Sequence, residues 1–346
     1  MTGKGRIIVV GGGVMGASAA WHLAKAGGEV TLMESSPASG ATATALSFGW
    51  VGASASTPSS DPEAFALRLK ALEAFARLER DLGSLPIAAR GALLWGATED
   101  ETGAMIAEHR AAGTRMEALS RSQTAEKEPA LAAPPRLAAW APDDFALEPA
   151  ILARQLAAGA QAAGACIRHG TVEAIETAGD RITGVRVEGQ TLPADLVVLA
   201  NGHGARQLAQ TVDLDLPIHG SPAVLVRLAA GANVLRHLLC AQDLELRQAL
   251  GGGLVSAADY PEEGAAGLPA LAAQTAAAVA HLLGVAAPLP LLSIGAAQRP
   301  MTGDGTPLRG FAGKIEGLYA LVAHPGVILA PLLGRLCAED ILGLGR

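Results

Sequence analysis

Gly11, Gly13 and Gly16 stand in a Gly-x-Gly-x-x-Gly spacing directly behind the apolar run Ile7-Ile8-Val9-Val10. Glu34 follows about 20 residues past the turn, the distance at which such a motif places its acidic residue. Together these residues can hold a dinucleotide. Gly11 allows a tight turn, Gly13 lets the backbone approach a pyrophosphate, and Gly16 lets a helix pack close to the strand. The helix then begins at Val14 and Met15 and aims its unpaired N–H groups at the phosphates. Glu34, beside Ser35 at the end of the next strand, can accept from ribose hydroxyls.

Other chemistries find little support. No Ser-His-Asp set or pair of carboxylates shows a local motif, and His203 and His219 have no supporting spacing. Cys166, Cys240 and Cys337 are far apart and form no CxxC pair, which argues for a reducing compartment and against a metal site. A net charge of -7 offers no basic footprint, and aromatics at 3% offer no base-stacking platform, so nucleic acid is not an expected partner.

At 346 residues the chain exceeds one ordinary core, and half of its residues are hydrophobic, enough for buried parallel strands. The first apolar run is the motif's own strand, so we expect no signal peptide and a cytoplasmic protein. Leu268 to Leu292 is rich in alanine but interrupted by Gln274, Thr275, His281, Pro288 and Pro290, and reads as a packed helix rather than a membrane span.

The elements that must position the motif follow from hydrophobic spacing. Val30-Thr31-Leu32-Met33 reads as the second strand, and a small, polar loop then runs from Ser35 to Thr44. Asp61 to Leu82 carries Phe65, Leu69, Leu72, Phe75 and Leu78 at helical spacing. A strand at Gly91 to Gly96 and helices at Glu99 to Ala112 and Glu148 to Gly164 come next. Short β runs over 166–192 lead into Ala194 to Gly202, a continuous apolar strand ending in a glycine turn, as in the centre of a doubly covered parallel sheet. Leu216 to Val255 suggests a separate antiparallel sheet. Leu318 to Val322 and a helix from Gly326 to Leu342 return to the nucleotide fold.

The tail Gln298-Arg299-Pro300-Met301-Thr302-Gly303-Asp304-Gly305-Thr306-Pro307, with Gly317-Leu318-Tyr319 and then His324-Pro325-Gly326-Val327-Ile328-Leu329-Ala330-Pro331, resembles the D-amino acid oxidase family of flavoproteins. The glycine motif, Glu34, the Ser39-Gly40-Ala41-Thr42 loop and the Asp195 to Gly202 strand occur in the family's order, so the resemblance spans nearly the whole chain. It implies an α/β fold: a discontinuous Rossmann-like FAD-binding domain (1–82, 141–215 and 294–346) and an α+β substrate domain on a mostly antiparallel sheet (83–140 and 216–293).

The resemblance further implies FAD as cofactor, with its pyrophosphate at Gly11 to Gly16. Gly40, Ala41, Thr42, Val172, Asn201 and Gly202 complete the cofactor set. Ser47, Phe48, Gly49 and Trp50 run close to the isoalloxazine, with core packing as the alternative for the two aromatics. Pro325, Gly326, Val327, Ile328 and Leu329 open a helix whose N-terminus faces the flavin O2 and N1, where charge accumulates on reduction. Arg299 clamps a substrate carboxylate through two parallel charge-assisted hydrogen bonds; the alternative is an arginine tied to a nearby acid such as Asp304, which itself reads as shaping the turn before Gly305. His324 either lies over the flavin edge or hydrogen-bonds its own loop.

The implied reaction oxidises the C–N bond of a small amino acid or secondary amine. A neutral amine gives a hydride from its α-carbon to the flavin, the imine is hydrolysed, and oxygen or another acceptor takes the electrons. No dedicated base is required. Ala297-Gln298 stands where some members attach flavin through cysteine, so FAD is expected without a covalent bond. Tyr260 and Tyr319 are the two tyrosines, fewer than many relatives place at the substrate, and Ala323 replaces the usual glycine before the histidine. A homo-oligomer, a flavin-bearing subunit of a hetero-oligomeric dehydrogenase and a non-catalytic FAD-binding protein stay open as alternatives.

Overall fold

Four consecutive apolar residues bury the strand that opens the chain, β1 (Arg6–Val10), and α1 (Val14–Lys25) and β2 (Glu29–Glu34) complete the first unit. The computed structural model describes residues 5–35, 42–242 and 244–344; Ser39, Gly40 and Ala41 of the small-residue loop lie outside the described residues. There follow β3 (Trp50–Val51), α2 (Pro62–Leu82), β4 (Ile87–Trp95), α3 (Glu99–Ala111), β5 (Glu117–Ser120), α4 (Arg121–Lys127), β6 (Leu137–Leu147) and α5 (Pro149–Ala162). Next are β7 (Cys166–His169), β8 (Val172–Ala178), β9 (Arg181–Val187), β10 (Gln190–Pro193), β11 (Leu196–Leu199) and α6 (Gly204–Gln210). The last part holds β12 (Ile218–Leu228), β13 (Leu238–Ala241), β14 (Leu244–Gln248), β15 (Leu254–Asp259), α7 (Leu268–Leu283), β16 (Leu291–Thr302), β17 (Leu308–Phe311), β18 (Leu318–Val322) and α8 (Gly326–Leu342).

A six-stranded sheet runs β17-β18-β11-β1-β2-β7, and all its pairings are parallel except β17 with β18. The C-terminal ends of β2, β1, β11 and β18 therefore open at one edge, with the order reversing at β1. That edge is where open α/β sheets bind ligands. On one face α1 packs against α8: Ser18 Oγ donates to the Ala330 carbonyl at 2.7 Å, and a Cβ on Gly334 would overlap Ser18. Small residues thus set how near the helix after β18 lies to the helix after β1.

The second large sheet runs β16-β12-β15-β14-β13-β4-β6-β3, with β5 added to β6. Its two faces have different cover. Val224, Val226, Leu246 and Leu254 pack with Ala276 and Val279 of α7, whereas Leu225, Val255 and Ala257 pack with Leu46, Phe48 and Trp50. The segment Gly264–Leu283 is long and apolar enough to cross a membrane by length and composition; in the fold, α7 lays its Ala272, Ala276 and Val279 side on this sheet.

Two expected boundaries move. Leu291–Thr302 pairs along its length with β12, so the strand carrying Arg299 belongs to the large sheet and the division expected at 294 cuts through it. The changeover comes after Thr302, where β17 joins the nucleotide sheet. Likewise β3 and β6 extend the large sheet, although 1–82 and 141–215 were expected in the cofactor domain. Apolar content cannot separate these cases, because edge pairing is decided by partners far away in sequence. The large sheet is also mixed, since β13 and β4 run parallel.

Candidate cofactor and substrate site

The turn after β1 is shaped by what no side chain could enter. Gly11 has φ +104°, a left-handed value that favours glycine, and a Cβ there would lie 2.7 Å from Asn201 Cα. The turns after β1 and β11 thus abut. A Cβ on Gly16 would overlap the Gly11 carbonyl oxygen, and one on Gly12 would overlap the Glu34 carboxylate. The acidic residue at the end of β2 therefore sits against the glycine turn. Gly13 is the N-cap of α1 and supplies no side-chain cap; the Val14 N–H instead meets Thr44 Oγ1 at 3.1 Å. Thr44 was not anticipated, although it stands two residues beyond Thr42 in the same small-residue loop. Thr42 holds that loop's turn by accepting from the Ala45 N–H.

Across the edge, Asn201 and Gly202 follow β11, and Asn201 Oδ1 is buried without a partner. Val172 is buried beside Val10 and Met33. Ser35 is exposed and Ser47 half-buried. After β18 the chain passes through Ala323 and His324 to Pro325, the N-cap of α8, which gives no side-chain cap hydrogen bond. A Cβ on Gly326 would meet nothing within 4 Å. Helix-start N–H groups without a side-chain cap make a ready seat for a partial negative charge. Val327, Ile328 and Leu329 are buried in the first turn of α8 and anchor it.

Phe48, Gly49 and Trp50 are held from three sides. Arg247 Nε donates to the Phe48 carbonyl at 2.5 Å, the Leu147 N–H donates to the Gly49 carbonyl, and Trp50 Nε1 donates to Asp144 Oδ2 at 2.7 Å. Gly49 is at φ +82°, and a Cβ would overlap the Leu147 carbonyl oxygen. Arg247 is fully buried and pairs with Glu148 at 2.8 Å. Burial pushes the Glu148 carboxyl up, but the Arg247 hydrogen bond and charge, with Arg227, bring it below its ordinary value. Asp144 is held above its ordinary value by burial, against hydrogen bonds from Ser54 and Trp50. Neither Arg247 nor Asp144 carried a sequence signal, because their partners come from distant strands.

Arg299 projects from β16 directly opposite Ser221 of β12, and its Nη2 donates to Ser221 Oγ at 2.9 Å. The expected alternative, a tie to Asp304, is not formed: Asp304 accepts from the Thr306 N–H and hydroxyl within its own turn. Arg299 Nε is buried without a partner. His324 makes no hydrogen bond among the described residues. Burial, then the positive charges of Arg299 and Arg68, lower its pKa to about 4, so at neutral pH it is uncharged beside two guanidiniums. Arg68, on α2, was not anticipated.

The family model described as FAD dependent oxidoreductase matches residues 6–340. The chain belongs to the DAO family of FAD-dependent oxidoreductases. Within this DAO family it is 28% identical to a glycine oxidase of Geobacillus kaustophilus (strain HTA426), over 98% of this chain and 93% of that one. The crystal structure of glycine oxidase from Geobacillus kaustophilus superposes with a TM-score of 0.82 at 24% identity, covering 98% of this chain and 95% of that one. Iminodiacetate oxidase from Chelativorans sp. BNC1 superposes at 0.85 with 20% identity and the same coverage. The fold expected from the sequence, a Rossmann-like α/β unit joined to a second sheet, is that of these structures, and FAD is the family's cofactor.

Proposed function

We propose that the protein oxidises the C–N bond of a small amino acid or secondary amine that carries a carboxylate. The observation that carries this reading is a set of three features: the glycine turn with Glu34 against it, the N-terminus of α8 with no side-chain cap, and Arg299 with an unpaired, buried Nε. A long dinucleotide fits this arrangement. Gly11, Gly13, Val14, Met15 and Gly16 hold its pyrophosphate, Glu34 its ribose, and the N–H groups from Gly326 onward its distal ring, with no covalent bond.

Bound FAD would supply the two-electron oxidation of the C–N bond, the electrons passing on to oxygen or another acceptor, and water would hydrolyse the imine to an oxo acid and ammonia or a primary amine. The protein's part is placement. Arg299 fixes the carboxylate through charge-assisted hydrogen bonds, with Ser221 orienting the guanidinium fork. His324, being uncharged, neither repels a cationic amine nor competes with Arg299 for the carboxylate. Phe48 and Trp50, immobilised by Arg247 and Asp144, wall the site and exclude water.

The test is anaerobic addition of amino acids and amines to the FAD-loaded protein. Bleaching of the yellow absorbance by at least one carboxylated amine supports the reading. A flavin that no amine bleaches contradicts it, and bleaching that needs a second subunit assigns the protein to a hetero-oligomeric dehydrogenase.

A further inference from the structure

β16 is an end strand of the large sheet: β12 lies on one side of it, and no strand pairs with its other side among the described residues. The register shows which backbone groups are left over. Opposed residues of antiparallel strands alternate between pairs that exchange hydrogen bonds and pairs that do not. Pro222 stands opposite Gln298 and Pro300 opposite Gly220, in the same alternate series as Val224 with Ala296 and Val226 with Ile294. Proline has no N–H to exchange, so this is the series that does not exchange. The N–H and C=O groups of Ile294, Ala296 and Gln298 therefore turn away from β12, toward the open edge. This open ladder is short. Pro300 ends it on one side, and a register shift between Arg227 and Leu228, opposite Ser293 and Leu291, ends it on the other.

The surface around the edge carries no charge. From Gly264 to Gln298 there is no Asp, Glu, Lys or Arg, in a chain of which 17% is charged, and more than half of these residues are exposed. Val285, Leu291 and Leu292 are exposed there, Leu292 at 62%. α7 rests on both β16 and β12, with Ala270, Ala273, Ala277 and Ala278 turned outward. Apolar surface of this extent marks a contact site. Lipid is a poor match for it, because helices that lie on membranes carry bulky apolar residues and a basic rim, and the outer side of α7 has neither.

We propose that β16 pairs with β16 of a second copy of this chain, antiparallel about a two-fold axis at Ala296. Three features choose this occupant. Each copy carries a net charge of -7, so like copies meet with least repulsion where neither has a charge. In the register centred on Ala296, Ile294 stands opposite the partner's Gln298 and Ala296 opposite the partner's Ala296, so every open group meets a counterpart. Sliding by one pair sets Ile294 against Pro300 or carries Gln298 into the register shift, and leaves groups unpaired. Finally, α7 lies above the two strands nearest the seam, so its axis is about 5 Å from the seam and the two copies of α7 come about 10 Å apart, a helix-packing distance. The same contact thus covers the uncharged helix and completes the ladder, and it closes on itself as a two-fold contact does. It also adds a strand beside the one that carries Arg299, with the partner's Ser293 opposite Arg299. The proposal holds whatever amine the enzyme oxidises.

Sedimentation equilibrium of the FAD-loaded protein at micromolar concentration, beside its Ala296→Pro variant, tests this. The native protein should have at least twice the 34.9 kDa mass of one chain. Ala296→Pro removes an open N–H but no bond to β12, so it should halve the native mass and keep the bound FAD and the circular dichroism. A monomeric native protein, whether free or bound to lipid vesicles or to another subunit, overturns the proposal, as does an Ala296→Pro variant of unchanged mass. Should Ala296→Pro not fold, cross-linking in a Cys166→Ser background decides. Ala296→Cys should form a covalent dimer on oxidation, because opposed residues that exchange hydrogen bonds lie about 5.5 Å apart at Cα. Ser293→Cys, about 20 Å from its own counterpart, should not. No cross-link at 296, or equal cross-linking at both positions, overturns the assignment.

Discussion

Arg299 and Ser221 face each other across β16 and β12, with Nη2 2.9 Å from Oγ, while Arg299 Nε stays buried and unpaired. One arm of the guanidinium is thus fixed by the protein and the rest is left for a ligand. Arg299→Ala should lower kcat/KM for carboxylated substrates by about 2 to 4 kcal/mol equivalent. Ser221→Ala should cost about 1 kcal/mol, the worth of one orienting hydrogen bond. The check is to compare an amino acid with its decarboxylated amine, because Arg299→Ala should spare the amine. Equal losses on both would remove Arg299 from carboxylate binding.

Arg247 and Glu148 form a buried pair behind Phe48, in which Arg247 Nη2 has no partner. Removing one partner strands a buried charge, so Arg247→Met or Glu148→Leu should destabilise by about 3 to 5 kcal/mol. Replacing both, as Arg247→Met with Glu148→Leu, should cost less than the two single losses added together. Denaturant unfolding of the three variants measures this. Additive losses would show that the pair is not coupled.

Gly16 and Gly326 should respond differently to the same added methyl group. At Gly16 it overlaps the Gly11 carbonyl, which is backbone and cannot swing away, so Gly16→Ala should lower the stability of the apoprotein and its FAD affinity together. At Gly326 it meets nothing within 4 Å, so Gly326→Ala should keep the apoprotein melting temperature and weaken FAD binding alone. Fluorescence titration with FAD beside thermal melts of the apoprotein separates the two. Unchanged affinity in Gly326→Ala would place the flavin elsewhere.

His22 and His324 both have pKa values lowered to about 4 by burial. Unfolded histidine titrates near 6.5, so between about 6.5 and about 4 the unfolded chain binds more protons than the native one. Stability is then complete above about pH 6.5 and falls as pH drops toward 4. His22→Gln and His324→Gln should each flatten that fall, as followed by denaturant midpoints across the range. For the same reason His324 should add no limb near pH 6.5 to the kcat/KM profile, and a limb there that His324→Gln abolished would show it titrating in catalysis.

What could be read from the sequence was whatever neighbouring residues decide. The turn from Val10 to Gly16, the apolar return strand to Asn201 and the helix opening at Gly326 are local strand-turn-helix patterns, and the structure brings their ends to one sheet edge. Ser221, Asp144 and Arg247 could not be read this way, because each matters through a partner set by long-range register. Arg299 was expected within the cofactor domain, yet its strand lies in the large sheet: Pro290 before it and Gly303 after it mark its ends without choosing a sheet, and only its pairing with β12 assigns it. Thr44 lay beside the loop that the resemblance assigned to the cofactor, and nothing local said which hydroxyl would reach the helix.

The central claim is C–N oxidation driven by a bound flavin, and single-turnover product analysis tests it most directly. FAD-loaded protein is mixed without oxygen with the amine that bleaches it fastest, and the products are counted against the flavin reduced. The account predicts one oxo acid and one ammonia or primary amine for each flavin bleached. Bleaching without release of the nitrogen product, or release of a product with its C–N bond intact, would contradict it.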